Sequence, residues 1–374
     1  MKKIAVLGST GKIGCQALEV IRSYPNEFKI IGLACGHRSA IFNRQIKEFK
    51  PKIIAAAKDD GESGVIKVAT HPEVELVVVA VVGLAGLAPA LAAIKAKKDI
   101  ALATKEVLVI AGEIVMKEVR QNKIKLIPLD SEHSAIFQSL KAGKVEEIKN
   151  IYLTMGKGPI AKMPKNQLDR VTIKDILNRP AWSMGQKIAV DSATGMNKAF
   201  EIIEAKWLFN VTAEKIKILV HPEYLCHSLV EFVDGSVIGE FGSADMRRYL
   251  QYALFYPERK KIKVASLLDL YGKNLSFEKP PLDKFPCLGL GYRALKAGGT
   301  MPAVMHGADT AAVDLFIKNR LNFGDIPKII ILTMKAHKTI KKPSLMELIK
   351  AEKWGQDYAY RLIKSQKILK KGEK

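Results

Sequence analysis

Through the first 150 residues, short apolar runs alternate with segments of helical spacing. Lys3–Leu7, Lys29–Cys35, Lys52–Ala57, Leu76–Val82, Ile100–Ala103 and Lys125–Leu129 read as buried strands, and Lys12–Ser23 as a helix. Near-continuous apolar strands separated by helices predict a parallel, doubly wound α/β sheet. From 151 to 285 the pattern is mixed and predicts an α+β domain. Ile151–Thr154, Ile216–Val220 and Ser228–Val233 have strand character, Ala199–Leu208 is helical, and Asp234-Gly235 before Ser236–Glu240 signals a hairpin. From 286 to 374 the spacing is helical, over Leu290–Ala297, Ala303–Asn319, Ile326–Met334 and Leu345–Lys367. Domains at 1–150, 151–285 and 286–374 are expected.

Two stretches imitate membrane signals. Leu76–Ile94 is uncharged for nineteen residues. Its first half is β-branched, its second half is rich in Ala and Leu, and Gly83, Gly86 and Pro89 interrupt it, so a strand, turn and helix fit better than a span. Met1-Lys2-Lys3 precedes an apolar run of only four residues, whereas a signal peptide needs about seven to fifteen. No membrane association is expected.

Composition adds a charge problem. The 374 residues carry 60 Lys+Arg against 38 Asp+Glu, a formal net charge of +22. Lysines cluster at Lys260-Lys261-Ile262-Lys263, at Lys341-Lys342 and from Lys364 onward, without an RNA-binding aromatic motif, a zinc finger or an arginine-rich arm. These clusters read as solvated faces, and nucleic acid is not the expected partner. At 48% apolar and 26% charged the chain is globular rather than disordered. Cys15, Cys35, Cys226 and Cys287 form no CxxC pair and read as reduced thiols of a cytoplasmic protein.

Candidate chemistry lies at strand ends. Gly8-Ser9-Thr10-Gly11-Lys12-Ile13-Gly14 follows the first strand and opens a helix, the place where a dinucleotide pyrophosphate meets backbone N–H groups. The second strand ends in Cys35-Gly36-His37-Arg38-Ser39, with no acid for a ribose 2′-hydroxyl. Arg38, helped by His37 and Ser39, suits a 2′-phosphate, so NADP(H) is expected over NAD(H). Asp130-Ser131-Glu132-His133 follows the sixth strand, and its two carboxylates could share Mg²⁺ or Mn²⁺, although solvated loop acids would give the same pattern. Lys105, in Thr104-Lys105-Glu106, could neutralise a developing oxyanion or be a solvated loop lysine. Asp191-Ser192 and Asn197-Lys198 with Glu201 offer phosphate donors and a third carboxylate, or an ordinary capped helix.

Taken together, the Asp-Ser-Glu-His stretch at 130–133 and the Val-Asp-Ser-Ala-Thr…Met-Asn-Lys…Glu stretch at 190–201 resemble the 1-deoxy-D-xylulose 5-phosphate reductoisomerase family. The similarity runs from the glycine turn to Phe285-Pro286-Cys287-Leu288 and more weakly beyond. It implies a Rossmann-like NADPH-binding domain, a central catalytic and dimerisation domain, a C-terminal helical domain, and a homodimer. It also implies conversion of 1-deoxy-D-xylulose 5-phosphate to 2-C-methyl-D-erythritol 4-phosphate, by skeletal rearrangement and hydride reduction, in isoprenoid precursor synthesis.

By the same resemblance Asp130, Glu132 and Glu201 hold Mg²⁺ or Mn²⁺, and Lys105 acts with them on the reacting oxygens. Ser131, Glu132, Arg179, Trp182, Ser192, Asn197, Lys198 and Glu201 contact the sugar phosphate, with Trp182 and Met184 on a closing flap. NADPH falls to Gly8, Ser9, Thr10, Gly11, Ile13, Gly36, His37, Arg38, Thr104, Lys105, Glu106 and Gly185.

The chain departs from the family pattern in places. Gly156 stands where the family has a phosphate-binding serine, Arg179 replaces a flap histidine, Thr104 an asparagine and Lys12 a serine. His306-Gly307-Ala308-Asp309-Thr310 replaces Asn-Ala-Ala-Asn-Glu. Lys157 and Arg179 would add two cations near the anion that Gly156 no longer holds. These changes leave an alternative open, an NADPH- and metal-dependent reductoisomerase or reductase acting on a different ketose phosphate.

Overall fold

A computed structural model describes residues 1–158, 160–178 and 185–365. The chain forms two compact units, one of residues 1–108, 112–138 and 245–269, the other of 109–111, 139–244 and 270–374. The sequence places 151–285 in one domain; instead, residues 245–269 return to the first unit.

The first unit is a six-stranded parallel sheet. Its strands are β1 (Lys2–Leu7), β2 (Phe28–Cys35), β3 (Ile53–Ala56), β4 (Leu76–Val79), β5 (Asp99–Leu102) and β6 (Leu126–Pro128), in the order β3-β2-β1-β4-β5-β6. Between and after them run α1 (Lys12–Arg22), α2 (Ala40–Phe49), α3 (Ala57–Ala69), α4 (Leu87–Lys95), α5 (Glu106–Asn122) and α6 (Ser131–Ser139). The uncharged Leu76–Ile94 stretch resolves into β4, a 3₁₀ turn at Gly83–Gly86 and α4. Among the described residues no helix is long and apolar enough to cross a membrane. Ile4, Val6, Leu33 and Val78 are buried in a sheet core that needs apolar residues on both faces.

The second unit holds α7 (Ile173–Leu177), α8 (Gln186–Thr194), α9 (Met196–Phe209) and a four-stranded mixed sheet. Its strands are β7 (Ile148–Met155), β8 (Ile216–Val220), β9 (Cys226–Phe232) and β10 (Val237–Phe241), in the order β10-β9-β7-β8. The Asp234-Gly235 signal marks the β9–β10 hairpin, with Gly235 at φ +89° and the Ser236 N–H donating to Asp234 Oδ1 at 2.9 Å.

Next in the chain, α10 (Met246–Phe255) belongs to the first unit. Its apolar face explains the return: Leu250, Ala253, Leu254 and Phe255 join the core around α1. There the Tyr24 hydroxyl donates to Gln251 Oε1 at 2.8 Å, and Arg247 reaches Glu19 at 2.7 Å. The second unit ends in α11 (Leu290–Ala297), α12 (Met301–Ile317), α13 (Ile326–Ala336) and α14 (Leu345–Ser365), close to the helical spacing read from the sequence.

Candidate active site

The glycine turn sits where β1 feeds α1, beside the point at which the strand order reverses between β1 and β4. Gly8 has φ +81°, and a β-carbon there would overlap the Ala80 carbonyl. One on Gly14 would overlap the Gly8 carbonyl. The turn is closed by Gly11 N–H to Gly8 O at 3.0 Å and by Gly8 and Ser9 N–H to Ala34 O at 2.8 and 2.9 Å. Gly11 caps α1, so the turn and the first N–H groups of that helix face the same opening, and Thr10 and Ile13 are half-buried at its edge. This cradle of bare backbone fits a dinucleotide pyrophosphate.

Gly36, His37 and Arg38 are exposed at the end of β2. Arg38 lies 3.3 Å from Asp59 and 3.9 Å from Asp60, so its charge is already shared. The Ser39 hydroxyl caps α2 by accepting from Phe42 N–H at 3.3 Å.

Parallel pairing of β5 and β6 aligns Leu102 with Pro128 and brings the next residues of both strands together. Lys105 Nζ stands 3.0 Å from Asp130 Oδ2, and His133 Nδ1 stands 3.5 Å from the same oxygen. Burial opposes ionisation of Asp130, but Lys105 and His133 outweigh it and hold the carboxyl well below its usual range. Ser131 donates to the Glu132 carboxylate. Both follow Asp130 in the first turn of α6, where the helix dipole favours acids. Thr104 is buried with its hydroxyl donating to Val81 O at 2.6 Å, and Glu106 accepts from Gly83 N–H at 3.2 Å. His133, which carries no role from the sequence alone, belongs to the charge cluster around Asp130.

In the second unit the polar start of α9 is a buried charge cluster rather than a solvated one. Glu201 has no exposed surface and accepts from Asn197 and from Lys198. Lys198 also donates to Thr154 O, near the end of β7, at 2.6 Å. Ser192 is half-buried on α8, and Gly185 caps the same helix. On α8, Lys187 lies between Asp191 (2.7 Å) and the fully buried Asp309 of α12 (2.6 Å). Burial would discharge this ammonium, but the two carboxylates raise its pKa above the usual lysine value. Arg179, Trp182 and Met184 lie outside the described residues.

The β7 end also explains Gly156. A β-carbon there would fall inside the ring of Tyr224, whose hydroxyl donates to Lys157 O at 3.0 Å. Tyr224 has φ +56° in the turn after β8, held by His221 Nε2 accepting from Leu225 N–H at 3.1 Å. The space that a side chain at 156 would need is therefore filled by a tyrosine that sequence reasoning missed. Lys157 is paired with Glu278 at 2.7 Å and brings less free charge than its position suggests.

A parallel sheet of this order, with a glycine turn at its switch point, is the architecture of a dinucleotide-binding α/β protein. Similar proteins narrow this class. The family model for 1-deoxy-D-xylulose 5-phosphate reductoisomerase matches residues 4–61 and 58–112, and two models of its C-terminal domains match 126–209 and 241–358. The 1-deoxy-D-xylulose 5-phosphate reductoisomerase 1 of Bacillus cereus is 44% identical, over 97% of this chain and 99% of the relative. The reductoisomerase of Caldanaerobacter subterraneus is 46% identical, over 94% and 97%. Among solved structures, the Zymomonas mobilis reductoisomerase in complex with NADPH superposes with TM-score 0.90 at 31% identity, over 97% of this chain and 99% of that one. A reductoisomerase in complex with NADPH, fosmidomycin and magnesium gives 0.90 at 34%, over 98% and 99%. The chain belongs to the 1-deoxy-D-xylulose 5-phosphate reductoisomerase family.

Proposed function

We propose that this protein is the NADPH- and divalent-metal-dependent reductoisomerase that converts 1-deoxy-D-xylulose 5-phosphate to 2-C-methyl-D-erythritol 4-phosphate. The observation that carries the reading is Glu201, a carboxylate with no exposed surface, gripped by Asn197 and Lys198 at the start of α9. A buried charge of this kind is costly, and such groups concentrate at functional sites.

When bound, NADPH supplies the hydride and Mg²⁺ or Mn²⁺ the Lewis acidity for the ketose oxygens. Asp130, Glu132 and Glu201 would hold the metal in this reading, and an all-oxygen set suits a hard cation. Lys105 keeps Asp130 ionised and offers its ammonium to the reacting oxygens. Ser192, Asn197 and Lys198 take the substrate phosphate, and Ser131 orients Glu132. Thr104 and Glu106 brace the cofactor wall through Val81 and Gly83. Arg179 and Trp182 would contact the sugar phosphate.

The test is NADPH oxidation followed by absorbance with 1-deoxy-D-xylulose 5-phosphate and Mg²⁺ or Mn²⁺. Turnover abolished by a chelator and restored by the ion is expected; no turnover with NADPH bound would overturn the reading. One observation favours a second reading, a different ketose phosphate: the Tyr224 ring fills the space beside Gly156, where the family resemblance implies a phosphate-binding serine. A panel of ketose phosphates separates the two.

Homodimerisation is part of the proposal. The edge strand β10 leaves Val237, Ile238 and Phe241 exposed, an arrangement that invites a second copy. Light scattering should give twice the chain mass. The cytoplasm is the proposed compartment, in keeping with four free thiols.

A further inference from the structure

A cleft of about 510 Å³ lies beyond the carboxyl ends of β2 and β3, lined by Gly36, His37, Arg38, Lys58 and Asp59. The first turn of α3 forms one wall, tied to the β2 loop by Lys58 N–H donating to Gly36 O at 2.9 Å. Arg38, the residue the sequence singles out for a 2′-phosphate, faces two carboxylates. Asp59 is 3.3 Å away and Asp60 is 3.9 Å away, and Asp60 is also fixed by accepting from Ala56 N–H at 2.7 Å. One guanidinium against two carboxylates gives a wall with net negative charge, a poor host for a phosphate dianion. Lys58 reverses this. It is exposed in the same cleft, and no ion pair to it is seen among the described residues. With it the four charged groups balance, and Arg38 can leave Asp59 when an anion arrives, because exposed ion pairs are weak.

We propose that Lys58 is a specificity-determining residue of this protein, supplying the uncommitted cation that makes the β2–β3 cleft accept the 2′-phosphate of NADPH. The assignment rests on the NADPH reading above. It also gives Asp59 a function, that of a counter-ion which holds Arg38 in place and competes with the phosphate for it.

The test is equilibrium binding, without substrate or turnover. NADPH and NADH are titrated by nucleotide fluorescence against wild type, Lys58→Gln, Lys58→Arg and Asp59→Asn, at low and high salt. Loss of one charge-assisted contact should weaken NADPH for Lys58→Gln by about tenfold, leaving NADH unchanged. Lys58→Arg should restore NADPH binding. Asp59→Asn should tighten NADPH about threefold, and raised salt should shrink each difference. A wild-type preference for NADPH that Lys58→Gln leaves intact, or equal weakening of both nucleotides, overturns the Lys58 assignment alone. Wild-type protein that binds NADH as tightly as NADPH overturns the NADPH reading and this assignment with it.

Discussion

At the end of β1 two glycines remove side chains so that the backbone can close on itself and present bare N–H groups. At the end of β7 a glycine removes a side chain so that another side chain, Tyr224, can take its place. Beside it, charge does the organising: Lys198 and Glu201 on α9, and Lys187 between Asp191 and Asp309. The first region is built from backbone geometry and tolerates almost no added atom. The second is built from buried charge and tolerates shape changes better than charge changes.

The comparison breaks most visibly at Glu201. Glu201→Gln keeps the shape and removes the charge, so kcat/KM should fall on the order of a hundredfold or more, beyond the usual cost of losing a metal ligand's supporting partner. Its NADPH titration should match wild type.

Lys187→Met comes next. It strands two buried carboxylates, and urea unfolding should show about 3–5 kcal/mol of lost stability. Asp309→Asn leaves Lys187 its Asp191 partner and should cost far less. Equal losses would mean that the cluster works by packing.

In the backbone-built region, Gly14→Ala forces a methyl group into the Gly8 carbonyl. About 1–3 kcal/mol of stability should go, together with NADPH binding.

Gly156→Ser should behave like overpacking, at about 1–2 kcal/mol, because the Tyr224 ring must move. The double variant Gly156→Ser, Tyr224→Ser should recover most of that loss; simple additivity would break the assigned pairing.

The smallest effect concerns the thiols. Burial pushes Cys35 and Cys226 up to about 11 and Cys287 well above its ordinary value. Native protein at pH 8 should therefore take up iodoacetamide much more slowly than urea-unfolded protein, by at least about tenfold, as thiolate is the reactive form.

The parallel sheet was legible in the sequence because strands covered on both faces must be apolar, and the runs at 3–7, 29–35 and 76–79 are. The glycine turn was legible because few other residues fit it. The return of α10 to the first unit was not, because the apolar face of Leu250, Ala253 and Leu254 would suit any core. Lys58 hid among many surface lysines, and only the nearby carboxylates give it meaning. Tyr224 hid because an aromatic residue in a loop carries no signal until its ring is found against Gly156, although the glycine in a serine's place was itself the clue.

The excursion of the chain has a consequence for its synthesis. The core around α1 is closed by α10, through Tyr24 with Gln251 and through the Tyr24 and Phe255 rings, whose centroids are 4.8 Å apart. A ribosome making this protein N-terminus first must release residues 139–244 before that closing piece emerges. The cofactor sheet, although encoded first, waits with an open apolar flank while the sheet of the other unit is already available to fold, and the two units mature in an order that their positions in the gene do not announce.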